Sequence, residues 1–352
     1  MSYLADELGW WVEAETGARV VDAAPLGKGA SRRTWAVDLD DGRRVVVRED
    51  TGTGPVAGTA LTLRREAAVY HALAGAPVPV ATLLSASPDW RALLFDLVPG
   101  TDDLASLSAD ERQSVAHDYG RCLGLLHALK IADLDLGPLK VNGREPTCAD
   151  IALWRAICER RCGDGAAPVS MPALEWLAAH VPDAGGLTSL CHGDAGPGNF
   201  HQDGAKVTGL LDWEFAHAGD PHDDLAWVAV RNQLLGRPLA LDTTFAGWRD
   251  ACGFDVDADG LEYYRALVLV RMAISCDAAL NWTGGKTTPD TRVQAALRPF
   301  LAPAILEALR RAGCDEPFVD ELDAPARAEW ESSPIAGVLG DPSDLDDLKA
   351  IH

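Results

Sequence analysis

The sequence predicts an α+β protein in two lobes, a small antiparallel sheet followed by a larger, mainly helical region. Three observations carry this prediction. The chain has 352 residues, which suits about two units of ~150 residues each. Its first hundred residues place β-branched and aromatic residues between Gly-rich turns, the pattern of strands. Beyond residue 100 the apolar residues recur at helical spacing, with one dense interruption from Leu190 to Arg231. Hydrophobic residues make up 47% and charged residues 24%, a mix that folds and buries a core.

The strand region opens with 24–50. Thr34, Trp35, Val37 and Leu39 favour a strand, Asp41-Gly42 predicts a two-residue hairpin turn, and Val45, Val46 and Val47 run into Arg48. Ahead of this hairpin, "LGKGAS" sets Gly27 and Gly29 on either side of Lys28 and ends at Ser31. Glycines let a backbone approach a phosphate closely. Two glycines before a hairpin also suit a plain turn, so this segment alone leaves both readings open. A helix is expected from Leu61 to near Gly75, with Leu63, Ala67, Tyr70 and Ala74 as its buried stripe. Glu66 borders that stripe, where an ion wants a partner. Ala92 to Val98, including Phe95 and Leu97, reads as a buried strand, and Pro99-Gly100 as the lobe boundary, giving a first lobe of 1–99.

Ser108 and Asp110 open a helix, and further helices are expected near 147–162, 172–180, 224–235, 243–251, 260–283 and 291–313, within a second lobe of 100–316. The Pro-, Asp- and Glu-rich stretch 317–352 is expected to be an acidic tail with some disorder.

The interruption reads as strand, loop, strand. "LTSLCH" and "KVTGLLDWE" flank a tight loop shaped by Gly193, Gly196, Pro197 and Gly198, which carries His192, Asp194 and Asn199; Asp212 follows the second strand. A carboxylate and, five residues on, an amide suit proton acceptance and ligation of a hard cation. A second carboxylate at a neighbouring strand end can bridge the same cation to a polyphosphate. Asp220 and Asp224 are read as holding the loop and capping the next helix, His192 as a structural member of the loop, and His217 and His222 as surface or packing residues.

The formal net charge is −22, with most of the acidic excess beyond residue 100. Such a surface repels phosphate backbones, which argues against nucleic acid and anionic membrane as partners. No apolar run is long enough to span a bilayer. The eight cysteines form no CxxC pair, and Cys158 and Cys162 have no second ligand pair near them, so reduced thiols are expected. The first eleven residues lack the basic and apolar regions of a signal peptide. Together these predict a cytoplasmic protein.

The block "HGDAGPGN" with "LLDWE" and "GDPHDDLAW" resembles the aminoglycoside phosphotransferase and choline kinase superfamily, which shares the protein-kinase fold. Its Asp-to-Asn spacing parallels the kinase pattern H-R-D-x-x-x-x-N, with Gly in place of Arg. The resemblance covers roughly residues 20–285. It implies a kinase-like α+β architecture with a nucleotide cleft between the lobes, and an ATP- and Mg²⁺-dependent phosphotransferase acting on a hydroxyl of a small molecule. It further implies Asp194 as catalytic base, Asn199 and Asp212 as Mg²⁺ ligands, and Gly27, Lys28, Gly29 and Ser31 as the loop over the phosphates. Glu66 would position a cation on the third strand, and the stretch from Leu94 to Val98, with Phe95 and Leu97, would meet adenine. Trp213 and Glu214 stand where many protein kinases have Phe-Gly, and the superfamily resembled often has Trp and Glu there. Arg48 stands where most kinases have Lys. It keeps the charge but is longer and planar, so either the site is reshaped or the lobe is an impaired nucleotide-binding regulator.

"GASRRTW" followed by a strand ending in Arg also resembles a bacterial phosphotransferase branch related to kinase-like domains fused to acyl-CoA dehydrogenases. A protein kinase is disfavoured, because only six residues separate Asp212 from "GDP". Acceptor-lining residues are expected from helices near 151–160 and 262–281, among them Trp154, Glu159, Glu262, Tyr263, Asp277 and Trp282; core aromatics are the other reading. The acidic lobe would attract a cationic alcohol, and equally serves solubility. For a hydroxyacyl-CoA acceptor, Arg155, Arg160 and Arg161 form the candidate basic patch.

Overall fold

The structure, a computed structural model, describes residues 4–26, 32–54, 56–137, 145–162, 168–182, 188–284, 287, 291–346 and 348. Its first part holds helix α1 (Asp6–Thr16), strands β1 (Val20–Pro25), β2 (Arg33–Leu39) and β3 (Arg44–Glu49), helix α2 (Leu63–Leu73), and strands β4 (Leu83–Ala86) and β5 (Ala92–Asp96). These strands make one antiparallel sheet in the order β1-β2-β3-β5-β4. Period-2 alternation sorts its faces. Trp35, Val37, Leu39, Val45, Val47 and Leu94 pack with Leu8 and Val12 of α1 into one core, so Val46 and Arg48 take the opposite face.

Several details differ from the sequence expectation. Helix α1 was not foreseen. The β2–β3 connection runs over four residues, Asp40 to Arg43, rather than a two-residue turn; Leu39 N–H bonds Arg43 O and Gly42 N–H bonds Leu39 O. Helix α2 ends at Leu73, so Leu73 rather than Ala74 completes its buried stripe with Leu63, Ala67 and Tyr70. The last sheet strand stops at Asp96, leaving Leu97 and Val98 beyond it.

The second part contains α3 (Ala109–His127), α4 (Pro146–Arg161) and α5 (Ser170–Ala179), the short strands β6 (Ser189–Cys191), β7 (Phe200–Asp203), β8 (Lys206–Leu210) and β9 (His217–Gly219), then α6 (His222–Leu234), α7 (Leu241–Cys252), α8 (Ala258–Trp282), α9 (Arg292–Arg311) and α10 (Pro317–Glu331). Local chemistry explains the starts. Ser108 and Glu111 form a reciprocal capping box on α3. Pro146 occupies the first turn of α4, where its missing N–H costs nothing. Helices α3 and α7 cross so closely that a Cβ on Gly120 would lie 1.8 Å from Thr244 O. Helix α8 is buried along most of its length, including Leu261, Leu267, Val270 and Ile274, and packs against α4, α6 and α9.

Helix α10 lies within the stretch expected to be an acidic tail with some disorder. It buries Val319, Ala326 and Trp330, and the Trp330 ring meets Phe300 of α9 edge-on at 5.5 Å. Its acidic face explains the misreading, since Asp320 and Asp323 pair with Arg310 of α9. No helix among the described residues is long and apolar enough to cross a membrane. The described cysteines are free.

Pro99-Gly100 is a fastened crossing. Thr101 and Gln202 exchange backbone bonds of 3.0 and 2.9 Å, and Thr208 Oγ1 donates to Pro99 O at 2.6 Å.

Candidate active site

The hairpin β7–β8 and the pair β6–β9 present the loop 192–199 toward the sheet. Asp224, from the first turn of α6, fixes the start of this loop by accepting from His192 N–H at 2.7 Å and Gly193 N–H at 2.9 Å. Asp224 also meets His127 Nε2 at 3.0 Å, and Trp248 Nε1–H donates to His127 Nδ1 at 2.8 Å. His127 therefore donates through Nε2. With both its nitrogens engaged, the grouping of His127, Cys191 and Asp224 is a hydrogen-bonded brace rather than a metal site. His192 Nδ1 accepts from Asp194 N–H and its Nε2 reaches Leu211 O at 2.8 Å, a structural role. Asp220 Oδ1 accepts from His222 N–H and His222 Nδ1–H at the start of α6. His217 and His222 are both buried packing residues.

Asp194 sits at the turn of the loop. Asn199 Nδ2 donates to Asp194 Oδ2 at 2.7 Å and to its backbone carbonyl at 2.8 Å. Arg231 of α6 approaches from the other side, with Nη1 at 2.7 and 2.9 Å from the two carboxylate oxygens. Burial pushes the Asp194 carboxyl upward, and the Arg231 guanidinium opposes that shift.

Asp212 lies just past β8. Its φ of +66° is a left-handed conformation that Asp tolerates better than most residues. Leu211 N–H bonds Asn199 O at 2.9 Å, which ties this corner to the loop. Arg48 crosses from the sheet with Nε 2.8 Å from Glu66 Oε1 and Nη2 2.5 Å from Asp212 Oδ1, while Glu214 Oε2 lies at 3.7 Å. One guanidinium thus faces three carboxylates. Enclosure pushes the Asp212 carboxyl up, but Arg48 overcomes this and holds it below its usual range. Glu214 lacks so close a cation, and burial together with Asp212 pushes it up to about 8. Burial also raises Glu66, with Arg48 opposing.

These groups surround a cleft of about 410 Å³ between the sheet and the loop. Of the residues singled out from sequence, Arg48, Phe95, Leu97, Asn199 and Asp212 line it. Glu66 lies beneath Arg48, 1% exposed, and Asp194 sits behind Asn199. Gly27, Lys28, Gly29 and Ser31 fall outside the described residues. The apolar wall is Val46, Ala81, Phe95 and Leu211; Phe95 is braced by the Tyr70 ring at 4.6 Å.

The expected acceptor-lining residues do not gather at this cleft. Trp154, Glu262, Tyr263 and Asp277 are buried. Trp154 packs on Phe215, Tyr263 donates its hydroxyl to Leu177 O, and Asp277 pairs with Arg298. Trp282 is exposed under the Arg161 guanidinium, and Glu159 is exposed on α4. The helical spacing could not tell a binding face from a core face, because α8 is buried nearly all round. Sequence reading assigned no part in the site to Arg231, nor to Arg32 and Glu214, which line the cleft. Arg231 had one signal: it ends the helical run "LAWVAV", and a cation at the end of a buried apolar run needs an anion.

The profile of the phosphotransferase enzyme family matches residues 22–264. Among curated proteins, the chain is 27% identical over 210 residues to mouse (Mus musculus) acyl-CoA dehydrogenase family member 10, covering 56% of this chain but only 19% of that protein. Among solved structures, a Ralstonia eutropha protein assigned to the aminoglycoside phosphotransferases superposes with a TM-score of 0.64 at 20% identity, over 89% of this chain and 100% of that one. The streptomycin–ATP ternary complex of APH(2″)-IIa superposes with a TM-score of 0.54 at 16% identity, over 78% and 91% of the two chains. At these identities the solved structures speak for the fold, which is kinase-like.

Proposed function

The chain belongs to the phosphotransferase enzyme family, and from that premise we propose that it is an ATP- and Mg²⁺-dependent O-phosphotransferase acting on a hydroxyl of a small molecule. One observation supports this most: Asn199 and Asp212 line one cleft, and Asn199 bonds Asp194 behind it at 2.7 Å.

The donor set fits a hard divalent cation. Asn199 commits its amide hydrogens to Asp194, so Oδ1 is the polar atom it has left to offer. Asp212 is kept ionised by Arg48. Oxygen donors of this kind suit Mg²⁺, which when bound neutralises phosphate charge. In this reading Asp194 accepts the proton of the acceptor hydroxyl as that oxygen bonds the γ-phosphorus and the bond to the β,γ-bridging oxygen breaks, releasing ADP. Arg48, held by Glu66, contacts the phosphates. Phe95 and Leu97 border the adenine.

A second reading concerns the acceptor. One curated relative is named as an acyl-CoA dehydrogenase family member, which supports a hydroxyacyl-CoA as an acceptor beside the aminoglycoside- or macrolide-like one. The basic patch foreseen for it is dispersed: Arg155 faces Glu175, Arg161 lies over Trp282, and Arg160 reaches Gly58 O. ATP consumption by the full chain with Mg²⁺, across hydroxylated amines, simple alcohols and hydroxyacyl-CoAs, tests both readings. Asp194→Ala is expected to lower turnover by about 10²–10⁴-fold while the fold is retained. Parental activity in that variant refutes the assigned base, and no ADP release with any acceptor refutes the enzyme.

A further inference from the structure

We propose that Arg231 is a positioning residue for phosphoryl transfer, its guanidinium holding the Asp194 carboxylate and the Pro197 carbonyl in one fixed arrangement. This rests on the phosphotransferase reading above and adds to it a residue 37 positions away from Asp194 in the chain.

All three nitrogens of the guanidinium donate to the loop. Nη1 meets both Asp194 oxygens, at 2.7 and 2.9 Å, while Nε at 3.1 Å and Nη2 at 2.9 Å both donate to Pro197 O. A rigid planar fork that grips two points three residues apart fixes both the aim of the carboxylate and the path of the backbone. Lysine, a point charge on a flexible stem, cannot do both.

The loop is shaped to receive this side chain. Gly196 has φ +141°, and a Cβ there would lie 2.9 Å from Arg231 Cβ and 3.0 Å from its Cδ; on Gly198 it would lie 3.0 Å from Nη2. The two glycines between Asp194 and Asn199 therefore serve the approach of Arg231. Without it, Asp194 would be held by Asn199 alone, the residue assigned to the cation. With it, the carboxylate accepts three hydrogen bonds and still has a lone pair for an incoming hydroxyl, since an ionised carboxylate offers about four acceptor positions.

The test compares Arg231→Met, which keeps bulk and removes charge, with Arg231→Lys. A misplaced catalytic group of this kind costs about 10²-fold. Arg231→Met is expected to lose about that much kcat with the KM for ATP within about twofold, and Arg231→Lys about tenfold. Amide exchange at Asn199, whose N–H bonds Gly196 O at 3.1 Å, should accelerate in both variants. Parental kcat in Arg231→Lys, or a loss confined to KM, overturns the positioning role, even where Arg231→Met fails to fold. If the parent turns over no acceptor, the phosphotransferase reading fails; the exchange measurement still decides positioning, because an unchanged Asn199 amide in the variants overturns it.

Discussion

Replacing Arg271 by leucine removes the cation at the centre of the helical region. Arg271 of α8 is 1% exposed. It pairs with Asp223 of α6 through both carboxylate oxygens, at 2.8 and 2.7 Å, and with Asp150 of α4 at 2.5 Å. His217 adds a weaker contact to Asp223 at 3.4 Å. The variant strands two buried carboxylates. Breaking a buried pair by removing one partner costs about 3–5 kcal/mol. At about 2.1 cal/mol/K per residue, the unfolding entropy of this chain is about 0.7 kcal/mol/K, so Tm should fall by about 4–7 °C. The pH dependence sharpens the test. Burial alone would push the Asp223 carboxyl up, but Arg271 and then His217 overcome it and hold it well below the usual carboxylate range. In the parent its stabilising contribution is complete above the unfolded value of about 3.9 and is lost only as pH falls through the lower folded value. In Arg271→Leu burial prevails, the folded value lies above the unfolded one, and the penalty is full at neutral pH and fades on acidification. Thermal melts between pH 7 and 4 should therefore show the gap between parent and variant narrowing. A loss of less than about 1 °C, or a gap that widens toward acid, would refute the reasoning.

Two further substitutions probe the site and the scaffold. Arg48→Ala should weaken ATP binding at least about tenfold by calorimetry, from loss of charged hydrogen bonds worth about 1.5–3 kcal/mol; an unchanged Kd removes Arg48 from the phosphate site. Gly120→Ala places a methyl 1.8 Å from Thr244 O and 2.8 Å from its carbonyl carbon, backbone that cannot step aside. Overpacking of this kind costs about 1–3 kcal/mol, so Tm should drop despite the better helix propensity of Ala; a Tm at or above the parent's would contradict the close crossing.

The parts of this protein that were legible in its sequence are those written in local pattern. The helices of the second region were expected within a few residues of α4 to α9, because capping residues and apolar spacing are local signals. The loop from His192 to Asn199 was legible because its residues lie within one short stretch, and the family match shows that the kinase-like reading drawn from it was right. What escaped depends on distant contacts. Arg231 meets Asp194 across 37 positions, and nothing in its spacing announces that. Helix α10 looked like a solvated acidic tail because the arginine that answers Asp320 and Asp323 lies on α9. Glu262 and Tyr263 looked suited to a ligand, yet on a helix buried all round, polarity marks internal pairing instead.

The stitching behind the cleft has its own consequence. Thr101 and Gln202 bridge the connector, Pro79 O accepts from Leu210 N–H at 2.8 Å, Arg65 Nη2 donates to Ala216 O at 2.7 Å, and Arg48 reaches Asp212. The walls of the cleft are thus fastened to one another by the chain's own contacts. A guest meets a socket rather than a pair of jaws, and little of its affinity is forfeited to ordering the walls.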